Sequence, residues 1–506
     1  MYRNKGTITV FLSLISMLFL SLFCTMAESV RVQAARFQAA AAFDMGLFSI
    51  FGEYDRVLLE EYDLWFLDGS SEEQKIREVL ETKLEKYIQP NINPRYNLAA
   101  GRSWDVFPTE LDRCTVDKYA LATDHGGQVF YSQAVENQKE LFVGEAASAL
   151  KKNIKQMEEG HQKGEEYQNE EQKADEEYQR AQAAQMEEKK RQESEKENAE
   201  KQEESDTDIK ETEAVQAKVE NPLDQIKKIK SMGILGLVLK DGTVVSDKTI
   251  ERKNLPSERN LQKGSLLVNE ISADPVSEVI FLNYLQKHFQ CAVDEGGKHQ
   301  KGSKEHSLSY ELEYIIGGQK SDRENLKKTV NRILLIREGM NYATLAKSAK
   351  MRGEAMALAA AITGAAALPE FAGALQKLLM LAWAYGESLL DVRTLLAKGK
   401  VPMLKAETEW KLPLEKLGML AEVLKECDAG GGNGQSYEDY LSGLLILGKK
   451  QQRNLRVLDL IECNRRMEKG GETFRVDALV AQAEASADFE LAPVFLRVPA
   501  LSLIHI

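Results

Sequence analysis

The sequence has little of the chemistry from which catalytic and metal-binding motifs are built. Its six histidines form no HExxH motif and its serines form no GxSxG motif, so the simplest signatures of zinc and serine hydrolases are absent. Five cysteines occur without any CxxC spacing, which argues against a zinc ribbon or a thioredoxin-like site. Cys24 lies in an apolar run, and the spacing of the other four, Cys114, Cys291, Cys427 and Cys463, leaves open whether they pair or stay free.

Positive charge is also in deficit. The net charge is −13, which argues against nucleic acid as a main partner because phosphate binding needs a basic surface. Residues 151–220 hold 22 acidic against 13 basic residues and so carry −9 of that charge. Acidity is therefore a property of one segment.

The few polar motifs that could carry chemistry each have a simpler interpretation. Asp124-His125 before two glycines could be an acid–base pair, but the pattern is more typical of a polar turn. His299 and His306 lie in a Lys/Gly-rich stretch that indicates a solvated loop rather than a metal site. Residues 429–435 lack the third glycine of a dinucleotide fingerprint, and Gly297 and Gly302 are not followed by the Lys-Ser/Thr of a phosphate loop. We therefore predict no catalytic, cofactor-binding or metal-binding residue, no cofactor and no enzymatic activity.

The N-terminus contains the strongest signal in the chain. Ile8 to Met26 is 19 residues without a charge, long enough as a helix to cross the hydrocarbon layer. The residues that follow keep a helical period, with an apolar stripe at Val30, Ala34, Phe37, Ala41, Met45 and Phe48. Neither proline nor glycine interrupts Thr7 to Met45, which predicts one helix of about 40 residues, half of it in lipid. We favour a retained anchor; the alternative is a signal cut after Ala27 or Ala35.

The charge before the span predicts the orientation. Arg3 and Lys5 precede it, and short basic flanks stay in the cytoplasm. We therefore expect a single-pass protein of the cytoplasmic membrane, with the bulk of the chain outside. Within the span, Thr9, Ser13 and Ser16 share a face with Leu20 and Cys24. These small residues favour either a homo-oligomer through the membrane helix or hydroxyls bonded to their own backbone.

Several stretches together carry a family resemblance. They include KGTITVFLSL, ESVRVQAAR, FGEYDRVLLEEYDLWFLDG, NPLDQIKKIKSMGILGLVLKDGTVVSD, SLSYELEYIIGGQKSDRENLKKTVNRILLIREGMNY, LLMLAWAYGESLLDVRTLLAKGKVP and SYEDYLSGLLIL. The chain resembles an uncharacterised family of Gram-positive membrane proteins that is related at its N-terminus to the TadE/TadG-like pseudopilins of tight-adherence (Tad, or Flp) pilus systems. The resemblance implies a role beside pilus-assembly proteins. Gly6 matches the residue before a pilin cleavage point, but Phe11 stands where pilins have Glu, so processing after Gly6 is not expected.

The region between the anchor and the larger C-terminal domain divides into two parts. Residues 28–145 form a pseudopilin-like region, in which YDLWFLDGS predicts a short strand and a turn, and Glu72–Ile88 an amphipathic helix that stops before Pro90. Residues 146–221 repeat an acidic pair every 11 residues with few apolar positions. This pattern favours a solvated helical spacer, with a disordered linker and a coiled coil as alternatives.

Residues 222–500 predict an α+β domain with a helical subdomain between strand-bearing ends. GILGLVLKDGTVVSD is typical of a hairpin and LSYELEYII of a strand. Long helices follow over Arg323–Arg337, Ala355–Leu368 and Phe371–Val392, and the tail predicts a helix followed by an alternating strand. The two apolar helices form either a membrane hairpin or, as we favour, a buried pair.

The expected organisation is therefore a cytoplasmic stub and anchor (1–27), the pseudopilin-like region, the spacer, the α+β domain and a tail at 501–506 typical of a sequencing adapter. The expected function is a non-catalytic accessory of a Tad-like pilus or secretion system. Its partners would be the lipid bilayer and pilus or secretion assembly proteins or pseudopilins. A membrane-tethered exported enzyme and a ligand-binding ectodomain are the alternatives.

Overall fold

The computed structural model describes residues 5–71, 75–92, 108–139, 144–200, 221–267, 274–293, 305–365, 371–427, 431–492, 494 and 503–505. These residues are mostly helical and include one small antiparallel sheet. The helices are α1 Lys5–Phe51, α2 Arg56–Tyr62, α3 Ile76–Ile92, α4 Asp124–Lys139, α5 Gly144–Glu200, α6 Pro222–Ser231, α7 Ile234–Val238, α8 Pro275–His288, α9 Glu311–Gly317, α10 Asp322–Lys347, α11 Ala349–Ala365, α12 Ala372–Leu396, α13 Leu420–Glu426, α14 Tyr437–Leu447 and α15 Lys450–Met467. The strands are β1 Leu67–Asp68, β2 Thr109–Leu121, β3 Leu479–Leu491 and β4 Leu503–His505.

The chain folds into two compact units that each take several segments. Unit 1 consists of residues 1–140, 252–272 and 454–506, and unit 2 of residues 141–251 and 273–453. The two units do not correspond to the regions expected from the sequence. The predicted C-terminal strand pairs with a strand near the N-terminus, so segments from both ends of the chain belong to unit 1.

Unit 1 is built around the pairing of β2 with β3. The two strands run antiparallel from Thr109 opposite Leu491 to Leu121 opposite Val480. β1 and β4 pair with the other edge of β3, at its beginning and its end. The second half of α1 and the apolar side of α3 cover the sheet and bury one cluster of side chains. The prediction of a helix near residues 72–88 is confirmed, but α3 continues through Pro90, since Asn91 Nδ2 bonds the Tyr87 carbonyl in the last turn.

Unit 2 is helical in the residues described. Helix α12 is its centre, with side chains from Leu375 to Leu395 almost entirely buried, and α10 and α11 pack against it. The burial expected for α12 is confirmed, but α11 buries only the face that carries Met351, Ala355, Ala359 and Thr363, so the expected buried pair is correct for one of the two helices. The hairpin predicted at GILGLVLKDGTVVSD and the strand predicted at LSYELEYII are both wrong, and residues 243–248 after the turn form no strand. GILGLV forms α7, because Ile234, Leu237 and Val238 are buried at helical spacing, and the predicted strand at LSYELEYII is largely α9, in which both faces are buried so that alternation carries no information.

The acidic segment is helical over its described residues, which end at Glu200, as expected, but the first half of that helix is not solvated. Residues 201–220 of the expected spacer lie outside the described residues. In α5, Met157, Gly160, Gly164, Tyr167 and Ala174 are buried at steps of three, four, three and seven residues. The glycines allow α10 to cross at backbone contact, where a Cβ on Gly339 would overlap Gly164 and Lys163. Tyr167 Oη also donates to the Leu381 carbonyl at 3.0 Å. The first half of α5 is therefore a core helix of unit 2.

We expect Gly339→Ala to destabilise unit 2 by about 1–3 kcal/mol, because its methyl group would push α5 away from α10. Gly353→Ala on α11 is the matched control. Its Cβ would meet open space, so it should gain up to about 1 kcal/mol from helix propensity. Thermal unfolding of the purified chain in detergent, with limited proteolysis of α5, measures both. Equal unfolding temperatures and equal proteolysis of the two variants would contradict the close crossing of α5 and α10.

Candidate membrane anchor and buried charge networks

One helix of the part that is described, α1, is long and apolar enough to cross a membrane by length and composition, criteria that a signal sequence also meets. The prediction of a single uninterrupted helix is confirmed, since α1 runs for 47 residues from Lys5 to Phe51. Ser13 Oγ donates to the Val10 carbonyl at 2.9 Å. At this position the hydroxyl therefore bonds its own backbone, one of the two roles expected for the hydroxyl face.

An ion pair is buried where the apolar run ends. Glu28 Oε1 accepts from Arg31 Nη2 at 2.8 Å, and both side chains are about 5% exposed. Arg31 Nη2 also donates to the carbonyl of Ala492, just beyond the end of β3. Because an unpaired buried charge is costly, the pair fixes this turn of α1 to the sheet of unit 1. Neither residue is a member of the predicted apolar stripe, and the sequence gives no signal for this contact.

The apolar stripe of α1 lies on one face of the helix, but that face is not the one that packs into unit 1. Val30, Phe37 and Phe48 are 69%, 78% and 84% exposed. The face that packs into unit 1 instead carries small residues between larger ones: Val32, Ala35, Ala39, Ala42, Phe43 and Ile50. Gly46 continues this face against α3, where a Cβ would overlap the Ile88 side chain. Small residues allow α1 to approach α3 and the sheet closely. A search of the sequence for large apolar residues does not identify this face.

A second buried network, in unit 1, joins two segments of that unit, residues 252–272 and 454–506. Arg259 donates to both oxygens of Glu462 at 2.6 and 2.7 Å and to Asp477 Oδ1 at 2.6 Å. Burial opposes ionisation of Asp477, but hydrogen bonds from Arg475 and Arg259 outweigh it and hold its pKa below the ordinary value. Ser257 N donates to Asp459 Oδ1 at 2.9 Å beside this network. These contacts attach residues 252–272 to α15 and to the turn that precedes β3.

A cleft of about 290 Å³ lies in unit 1 next to this network. Its lining is mostly small and polar: Gly69, Ser70, Ser71, Ile76, Gln262, Thr473, Arg475 and Ala478. Arg475 is the one ionisable side chain of this lining, and it pairs with Asp477 at 2.9 Å. The cleft therefore brings no acid and base together.

The largest buried network of unit 2 has Asp391 at its centre. Arg337 Nη2 and Nε lie 2.8 and 3.0 Å from Asp391 Oδ2, and Asn341 Nδ2 donates to the same oxygen at 2.9 Å. Lys405 pairs with Asp391 and with Glu387, and all four charged side chains are at most 2% exposed. Burial opposes ionisation of Asp391, but Arg337 and Lys405 outweigh it and keep its pKa below the ordinary value. Arg337 also donates to the Pro402 and Met403 carbonyls, so the network holds the segment after α12 in place.

Two further carboxyl groups of unit 2 are buried, and no cation among the described residues compensates for their burial. Glu313 Oε1 accepts from Tyr437 Oη and from Ala292 N, each at 2.9 Å, while Oε2 finds no hydrogen-bond partner among the described residues. Burial raises the pKa of Glu313 to about 7. Burial likewise raises the pKa of Glu338 to about 8, although Lys230 acts in the opposite direction. Both groups therefore titrate near neutral pH.

The polar motifs noted in the sequence have structural contacts where they are described. Asp124 accepts from Leu121 N at 2.7 Å and from Gly264 N at 2.9 Å, and His125 to Gly127 turn through left-handed backbone. His306 is not in a solvated loop, since its Nδ1 lies 2.8 Å from Glu311 Oε1 and its side chain is largely buried. His299, Gly297, Gly302 and residues 428–430 lie outside the described residues.

The five cysteines, all of them described, are free thiols. Burial raises the pKa of Cys114 and of Cys463 to about 12, which makes both poor nucleophiles. Within the described ranges no three His, Cys, Asp or Glu side chains are placed to hold a metal ion.

Comparison with known proteins gives one match. The profile of a family of unknown function, DUF5702, matches residues 212–491, which is more than half of the chain. The matched segment ends at the last residue of β3. No curated protein and no solved structure matches the chain.

We expect Arg337→Met to destabilise unit 2 by about 3–5 kcal/mol, because it leaves Asp391 with too little compensating charge in the core. Arg323→Met, on the same helix, removes an exposed pair with Asp247 and should cost less than about 1 kcal/mol. Chemical unfolding of the two variants, followed by tryptophan fluorescence, compares them. Similar losses of unfolding free energy in the two variants would show that burial does not determine how strongly the Arg337–Asp391 pair stabilises unit 2.

We expect unit 2 to lose stability as the pH rises. A carboxyl group whose folded pKa is raised stabilises the fold fully below its unfolded value of 4.5, and this contribution disappears as the pH passes the folded value. The loss should therefore extend to about pH 7 for Glu313 and pH 8 for Glu338. Glu313→Gln should flatten the profile, whereas the exposed Glu324→Gln should not. Unfolding temperatures at pH 5 and pH 8 test this, and an unchanged slope in Glu313→Gln would contradict it.

Proposed function

The chain belongs to the DUF5702 family, whose function is unknown, and we propose from its anchor helix that it is a non-catalytic accessory of a Tad-like (Flp) pilus or secretion system. In this proposal α1 holds the protein in the cytoplasmic membrane, and units 1 and 2 lie on the outer side. The resemblance of KGTITVFLSL and ESVRVQAAR to TadE/TadG-like pseudopilins falls on this same helix.

The continuity of α1 is the observation that carries the proposal. Its first half is apolar and unburied, and its second half is a core element of unit 1. A signal cut after Ala35 would remove Arg31 and Val32 from the fold, and a cut after Ala27 would leave the buried Glu28–Arg31 pair at a new chain end. Retention of the helix avoids both costs. A membrane helix that is rigidly part of an outer domain suits a protein that assembles beside other anchored proteins.

The charge and the buried networks support the other parts of the proposal. Arg3 and Lys5 before the span favour a cytoplasmic N-terminus. One buried network surrounds Asp391 and another surrounds Arg259, and within each of them the charged groups bond one another and nearby backbone. This is the arrangement of a structural network rather than of a site open to substrate. The proposal therefore assigns to the two units the binding of neighbouring assembly proteins.

Deletion of the gene in the bacterium that encodes it should reduce surface pili and adherence while the major pilin is still made. Restoring the full chain should restore both, because the anchored protein is present again. A version whose first 27 residues are replaced by a cleavable signal is the matched control, and it should fail because it is no longer anchored. Electron microscopy of pili and immunoblots of the pilin provide the measurements. Normal piliation in the deletion strain would overturn the proposed function.

A further inference from the structure

The face of α1 opposite unit 1 carries a continuous apolar row. We call it the outer seam, and its members follow one another at steps of three or four residues: Leu12, Ser16, Phe19, Phe23, Met26, Val30, Ala34, Phe37, Ala41, Met45 and Phe48. Two of them, Ala34 and Ala41, are half-buried, and the other nine are exposed. This spacing is the one at which two helices pack side by side.

Lipid can cover only the first part of the outer seam. Phe48 is 22 residues beyond Met26, which corresponds to about 33 Å along the helix from the end of the apolar run. Phe37 and Phe48 would then stand in water almost fully exposed, together with Val30 and Met45. A face of this kind marks a protein contact.

We propose that the outer seam packs against the outer seam of a second copy of this chain, with the two helices parallel. The inference rests on the proposed anchor. A partner must offer an apolar helix face that begins within the membrane and continues straight for about 33 Å outside it. A second copy supplies such a face in the same direction and at the same height.

The area and the charges of the outer seam suit this partner. An aromatic side chain buries roughly 150–250 Å², so Phe37 and Phe48, both more than three-quarters exposed, bring a few hundred Å² per copy outside the membrane, and Phe19 and Phe23 extend the contact within lipid. The other members bring the total near the roughly 800 Å² per partner of a stable interface. No seam position is charged, so two copies meet without repulsion there. The Glu28–Arg31 pair lies on the buried face and does not take part.

Cysteine crosslinking of the full chain in its membrane tests the proposal. In a Cys24→Ser background, which by itself should give no dimer, we expect Val30→Cys and Phe37→Cys to form disulfide-linked dimers. Ser29→Cys and Arg36→Cys are matched controls, because both positions are exposed and lie one residue along, about 100° around the helix. Their dimer yield should be several-fold lower, and the crosslinked product should have twice the mass of one 56.8 kDa chain.

Equal yields at all four positions, no dimer at any of them, or an adduct of another mass would each overturn the parallel pair. Alkaline extraction of the same membranes reports the anchor separately. If the chain resists extraction but shows no periodic crosslinking, the anchor is supported and the dimer is rejected. A chain that is extracted yet crosslinks at Val30 and Phe37 keeps the dimer and loses the anchor.

Discussion

Unit 1 depends on the packing of α1 into its core, because this single helix supplies both the apolar span and part of that core. Val32, Phe43 and Ile50 are nearly fully buried in that core. Burial of each such side chain contributes about 1.5–3 kcal/mol, so the three together approach the roughly 5–15 kcal/mol by which a whole domain is stable. Removing the second half of α1 should therefore cost unit 1 a large part of its stability.

The pairing of β2 with β3 adds a second constraint, since it joins segments separated by more than 350 residues. Unit 1 cannot close until β3 has been made, while the helices of unit 2 lie mostly between the two strands in sequence. Contacts between residues so far apart in sequence form slowly, because the entropy of closing the loop between them is lost before the contacts stabilise the fold. The Arg259 network also attaches residues 252–272 to α15 and to the turn that precedes β3. The region matched by the family profile contains β3 but not β2, so the completed sheet needs residues outside that match.

Local pattern predicted the elements with a strong and regular period, and failed where burial came from small or charged residues. The continuous α1, the helices α10 to α12 and the strand β3 were predicted because apolar residues mark them clearly. The buried faces of α1 and α5 were missed because alanine and glycine make up much of them, whereas several large apolar residues of α1, such as Phe37 and Phe48, point outwards. The strand expected at LSYELEYII was wrong because Glu311 and Glu313 are buried carboxylates, which alternation assigns to a solvent face. The Asp391 network joins residues far apart in sequence, and single-sequence reasoning has no signal for it.

The mature N-terminus tests the central claim most directly, because the account requires the span and the core half of α1 to remain one helix. Intact-mass and N-terminal peptide spectra of the native protein should show that residues 8–26 are retained. A mature chain that begins at Glu28 or Arg36, recovered in soluble form, would contradict the claim and with it the anchored accessory.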